Sequence, residues 1–178
     1  KGLWIDINAR HIKKLQKKIK KKQNKLDIFI KRITPDNINK VIISSNIMNR
    51  NMEIDFFSID IDSYDLQCLE NLDVISPRLI CVEYNAKIRQ KIKLDINKIK
   101  NFTWEYDDYF GSSLLSINSI MEKKQYKLIA TNITGSNAFF VKNELIHLMK
   151  YIGIVDSCMS NKYLFDKKYS FTNYSKSN

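Results

Sequence analysis

Glycine is scarce in this chain: Gly2, Gly111, Gly135 and Gly153 are the only four in 178 residues, and no G-x-G occurs. The dinucleotide-binding turn, whose glycines let backbone amides close on a pyrophosphate, is therefore absent from the sequence. Cysteine is equally sparse. Cys68, Cys81 and Cys158 are an odd number at unrelated spacings, which argues against a disulfide framework, and no Cys/His spacing has the form of a zinc site. Cys81 sits inside an apolar run and reads as a small buried hydrophobe. Free thiols point to a reducing compartment, and a cytoplasmic location is expected. No apolar run approaches the roughly 18 residues of a membrane helix, so no membrane span is expected. No secretory signal is visible; the chain begins at Lys1, and any targeting signal further upstream would lie out of view.

The excess charge is confined. The net charge is +11, but residues 10–25 contain Arg10 and eight lysines with no acid, which leaves +2 for everything else. Ile12, Leu15 and Ile19 form one helical stripe in this segment, and lysines cover its other faces. A solvated helix surface is the favoured reading. Nucleic-acid binding is disfavoured because the segment lacks the interleaved aromatics on which bases stack. The heavy use of Lys, Asn and Ile also fits the bias of an AT-rich genome.

With 178 residues the chain can bury a core without disulfides or metal, and residues 1–155 are assigned to one domain. A short buried strand over 2–8 precedes the basic helix, and a second strand covers 26–33. Thr34 is the expected N-cap of a helix opening at Pro35 and running to about Ser44. The run 54–61 shows little polar alternation, which predicts a strand buried on both faces of a parallel sheet. A short helix over 63–72 and a strand over 79–82 follow. Residues 86–108 lose periodicity, and Trp104, Tyr106 and Tyr109 there are read as a substrate wall or as anchors of the loop. Ser112 or Ser113 caps a helix running to about Lys124. Strands over 126–131 and 137–142 form a hairpin around Gly135, and Asn143 caps a last helix whose apolar face covers Leu145, Ile146, Leu148, Met149 and Ile152. Residues 156–178 read as a polar tail, poorly ordered at its end. The fold class is thus α/β: a Rossmann-like, mostly parallel sheet flanked by helices, closed by a C-terminal antiparallel hairpin.

Both central apolar runs end in carboxylates. Asp60 and Asp62 follow the first, while Glu83 and Asn85 follow the second. In open α/β sheets ligands bind beyond the carboxyl ends of the strands, so these four residues are the candidate catalytic set. Neither His11, in the basic helix, nor His147, in the last one, is set in a Ser/His/Asp arrangement.

The order of elements resembles the class I S-adenosylmethionine-dependent methyltransferases entered at their second strand, and is most similar to the FkbM-type enzymes and their little-characterised bacterial relatives. The segments that carry the likeness are Gly-Leu-Trp-Ile-Asp (2–6), Ile-Thr-Pro-Asp-Asn-Ile-Asn (33–39), Asp-Phe-Phe-Ser-Ile-Asp-Ile-Asp (55–62) and Pro-Arg-Leu-Ile-Cys-Val-Glu-Tyr-Asn (77–85). Further on come Tyr-Phe-Gly-Ser-Ser-Leu (109–114), Tyr-Lys-Leu-Ile-Ala-Thr-Asn (126–132) and Asn-Ala-Phe-Phe-Val (137–141). The resemblance implies S-adenosylmethionine as cofactor, with Asp6 accepting from its ribose hydroxyls, Thr34 and Asp36 near the adenine, and Asp60 and Asp62 facing the methyl donor and the acceptor. It implies methylation of a hydroxyl on a sugar or other small molecule, with a divalent metal as a possible helper. Two departures stand out. Ser63 and Tyr64 replace the Gly and Asn usual in relatives, and the first strand with its Gly-rich loop is missing. An upstream segment is expected to supply that strand, and the edges at 3–7 and 54–61 are expected not to pair with each other.

Two other readings compete. In a glycosyltransferase, Asp60 and Asp62 would hold Mn²⁺ or Mg²⁺ bridging a sugar-nucleotide diphosphate. In a non-catalytic module, the lysine helix would bind a polyanion with a steep salt dependence.

Overall fold

The computed structural model describes residues 1–19, 25–48, 53–62, 64–88, 91–96, 105, 107–132, 135–148 and 174–175. Apolar runs and helical stripes alternate along the chain as β1 (Gly2–Asp6), α1 (Ala9–Ile19), β2 (Leu26–Ile30), α2 (Ile38–Ile43), β3 (Phe56–Ile59), α3 (Asp65–Asn71) and β4 (Leu79–Glu83). Then come β5 (Asp95–Ile96), α4 (Leu114–Lys123), β6 (Tyr126–Thr131), β7 (Asn137–Lys142), a 3₁₀ turn (Asn143–Leu148) and β8 (Tyr174–Ser175). The class is α/β with a mixed sheet.

The strands fall into three sheets: β1 beside β2, the order β3-β4-β7-β6, and the small pair β5-β8. β1 and β2 are parallel, as are β3 and β4, whereas β7 runs antiparallel to both β4 and β6. The hairpin bounds match those read from the sequence, and β7 lies between β4 and β6. As expected, 3–7 and 54–61 do not pair. Neither β1 nor β3 has a second strand partner among the described residues.

Register explains the core. Phe57 pairs with Ile80, Ile80 with Phe140 and Phe140 with Leu128, while Ile59, Val82 and Ala138 form the next row. Alternation puts both rows on one face of the sheet. Against it pack Leu66, Cys68 and Leu69 of α3, Ile117 and Met121 of α4, and Ile38 and Ile42 of α2. β4 has partners on both sides, so its run Ile80-Cys81-Val82 is buried. Asn39 of α2 joins the end of α3, donating to Asn71 O (2.8 Å) and accepting from Asp73 N (3.2 Å).

Several expectations are corrected. β3 is not buried on both faces: Phe56 is 53% exposed and only Ile59 is fully buried, because β3 is an edge among the described residues. β1 is likewise half-buried, with Trp4 exposed. Thr34 does not cap α2. Asn37 folds back instead, its Oδ1 accepting from Thr34 N (2.9 Å) and its Nδ2 donating to Arg32 O (3.0 Å). The resulting turn delays the helix to Ile38. Ser113 does cap α4, accepting from Ser116 N. The last helix is a 3₁₀ turn with no buried residue, and Leu148 is exposed; Met149 and Ile152 lie outside the described residues. The tail contributes β8 at Tyr174–Ser175. On α1, Ile12 is buried and Leu15 and Ile19 half-buried, while Lys13, Lys14, Lys17 and Lys18 are exposed as expected; Lys21 lies outside the described residues.

Phe140, with no exposed surface, fills the centre of the main row. Phe140→Ala is expected to destabilise the fold by about 3–5 kcal/mol, read as a lowered urea midpoint.

Candidate functional site

β3 and β4 end in step. Ile59 pairs with Val82 across the parallel ladder, so the next residues, Asp60 and Glu83, leave the strands as neighbours. Both follow the alternation of Ser58 and Cys81, on the face opposite the main core row. Asp62 then turns back with φ 61°, a left-handed conformation that Asp and Asn tolerate better than most residues. One oxygen from each of Asp60, Asp62 and Glu83 lies within 4.8 Å of the others. Asp65, 2% exposed, closes the loop by accepting from Ile61 N (3.0 Å).

The electrostatics are those of crowded acids. Burial raises the Glu83 carboxyl to about 8, and the charges of Asp60, Asp65 and Asp62 add to the effect. Burial and the neighbouring Asp62 also raise Asp60, against which a hydrogen bond from Glu83 acts. At neutral pH Glu83 therefore keeps its proton, and its hydrogen bond to Asp60 works against the rise of the Asp60 carboxyl. Glu83 Oε2 remains buried without a hydrogen-bond partner among the described residues. A group that exchanges its proton near neutrality suits general acid–base work. Three carboxylate oxygens also make a hard donor set. Converging in this way, they could hold a divalent cation.

Asn85 does not join this group. It is fully buried, its Nδ2 donating to Asp108 O and Phe110 O (3.0 Å each) and its Oδ1 accepting from Lys87 N (3.0 Å). Its backbone N–H donates to Ser112 O (2.8 Å). Asn85 thus clamps the exit of β4 to the segment before α4, assisted by the Lys87–Asp108 ion pair and by Gly111 at φ 53°. Tyr109 packs with Ile88 and Leu94, as a loop anchor; Trp104 and Tyr106 lie outside the described residues.

Asp6 ends β1 and is not one of the clustered acids. Its Oδ1 accepts from Asn8 N (2.7 Å), and its Oδ2 is 3.2 Å from His11 Nδ1. Thr34 is half-buried in the turn before α2, its carbonyl accepting from Asn37 N and Ile38 N. Asp36 is exposed, yet its charge reaches Cys68, whose thiol is pushed up to about 12 chiefly by burial, then by Asp65 and by Asp36.

Sequence reasoning missed the polar network behind the site. Gln67 Nε2 donates to Asp95 Oδ2 (2.7 Å), and Ser112 donates to the other Asp95 oxygen, tying α3 to β5 and to the start of α4. These residues lie far apart in sequence, and no local pattern marks them.

No protein-family model matches the chain, and the curated proteins contain no significant match to it.

Glu83 gives the apo protein a defined pH response. A carboxyl raised from 4.5 to about 8 stabilises the fold through its bound proton. That contribution is fully present below about 4.5 and is lost as pH rises through about 8. Urea unfolding across this range is expected to show stability falling with pH, and Glu83→Gln is expected to flatten the slope. Asn85→Ala, which removes the buried amide that bonds Asp108 O, Phe110 O and Lys87 N, is expected to lower stability by on the order of 3 kcal/mol in the same measurement.

Proposed function

We propose that this chain is a methyltransferase domain that uses S-adenosylmethionine to methylate a hydroxyl of a sugar or other small molecule. The observation that carries the reading is the strand order. A parallel β1-β2 pair, an edge on β1 and on β3 that is unpaired among the described residues, and the order β3-β4-β7-β6 with β7 antiparallel suit a class I methyltransferase sheet entered at its second strand. The acids stand where such a sheet binds its ligands, at the carboxyl ends of parallel strands.

The residues fit the cofactor at the ribose end. Each Asp6 oxygen is engaged by a single polar neighbour, and a carboxylate offers about four acceptor positions, so Asp6 can accept from two hydroxyls as well. At the methionine end no G-x-G is available, and binding is expected to be weak. When bound, S-adenosylmethionine supplies an electrophilic methyl group. The chain's own contribution is to hold the acceptor hydroxyl in line and to take its proton. Glu83, once deprotonated, is the stronger base of the acid pair, with Asp60 and Asp62 orienting the hydroxyl. Activity is therefore expected to rise with pH through about 8.

The convergence of Asp60, Asp62 and Glu83 also favours a second reading, a metal-dependent glycosyltransferase. Calorimetric titration separates the two. S-adenosylhomocysteine is expected to bind, and Asp6→Asn to weaken it by tenfold or more. Stabilisation by a UDP-sugar with Mn²⁺, with no response to S-adenosylhomocysteine, would replace the methyltransferase reading.

A further inference from the structure

The first 32 residues hold twelve Lys and Arg against Asp6 and Asp27, so ten of the eleven net positive charges belong to β1, α1, β2 and their flanks. Both acids are turned to local partners: Asp6 to Asn8 and His11, Asp27 to Asn46 N (2.6 Å) and Asn46 Nδ2 (3.0 Å). Arg10, Lys13, Lys14, Lys17 and Lys18 are all exposed, and none is ion-paired with a described residue.

Helical geometry gathers these five cations. At about 100° per residue they fall within an arc of about 140°, and residues 10–18 span about 12 Å of helix axis. Ile12, Leu15 and Ile19 occupy the opposite arc, and Ile12 is 1% exposed, so the apolar side of α1 is already committed to the protein. Exposed apolar side chains lie on the adjoining strands β1 and β2 and at the end of β1. Ile7, 57% exposed, lies two residues before α1, and Ile30, also 57% exposed, pairs with Asp6. Trp4, 49% exposed, shares the Asp6 face of its strand, and Asp6 touches His11 of α1.

We propose that the outer face of α1, with Trp4, Ile7 and Ile30 beside it, docks on an anionic lipid surface. Lysine clusters of this size on an amphipathic helix suit the diffuse negative potential of a bilayer. Tryptophan and aliphatic side chains at their edge enter the headgroup layer. Nucleic acid fits less well. Four of the five cations are Lys, which lacks the planar fork with which Arg matches phosphate, the helix face is convex, and Trp4 is the single exposed large aromatic side chain among the described residues of this unit. The inference is independent of the methyltransferase reading.

Vesicle flotation of the full chain tests it. Binding is expected to phosphatidylcholine vesicles containing phosphatidylserine and not to phosphatidylcholine alone. Each Lys→Gln substitution at Lys13, Lys14, Lys17 or Lys18 is expected to lower partitioning about fivefold. Raising salt from about 0.15 M to about 1 M is expected to release the protein, since the screening length falls from about 8 Å to about 3 Å. Trp4→Ala is expected to weaken binding while leaving the circular dichroism spectrum of the chain unchanged. Absence of flotation, equal binding to neutral vesicles, or unchanged binding of the lysine variants would overturn the proposal. So would tighter binding to a single-stranded or duplex oligonucleotide that depends on the same lysines.

Discussion

Asp60 and Glu83 meet because two parallel strands end in step, and two carboxyl groups so placed cannot both be ionised without cost. The rest of the site follows from that constraint. Burial and mutual repulsion hold a proton on Glu83, and the shared hydrogen bond opposes the rise that burial and Asp62 impose on Asp60. The ladder that imposes this is itself held by the core: Val82 and Ile80 are buried between β3 and β7, so β4 cannot slip to separate the acids. A one-residue change of register would send Glu83 to the opposite face and break the packed row at Phe140.

Much of this was legible in the amino-acid sequence. The hairpin strands, the Ser113 cap and the acids at the ends of the two apolar runs are local signals, and the structure retains them. The misses were of a different kind. Asn37 offered an amide that competes with helix formation at Pro35, and nothing in the order Thr-Pro-Asp-Asn says which residue closes the turn. Burial of β3 was overstated because an unbroken apolar run implies two covered faces, whereas a strand with one partner leaves Phe56 in solvent. Asn85 was read as a chemical group from its place after β4. Its partners, Asp108, Phe110 and Ser112, come from a segment more than twenty residues away that carries no periodicity. Long-range polar contacts of this sort leave no local trace.

The two halves of the charge distribution are separate in the fold as well as along the chain. Acids gather at the ends of β3 and β4, on a sheet that does not include β1 or β2. Lysines gather on α1, whose neighbours are β1 and β2.

Asp62 carries two demands on a single side chain. Its backbone sits in the left-handed region, where glycine is strain-free and Asn or Asp are the next most tolerant residues. Its carboxylate is one of three that converge with Asp60 and Glu83. Of the residues the backbone accepts, Asp alone brings a negative charge. Glycine would ease the turn and empty the cluster, and glutamate would keep the charge and strain the turn. Position 62 is therefore a place where sequence drift has almost no neutral direction, so the residue found there in a divergent copy of this chain reports directly whether the three-carboxylate cluster is kept.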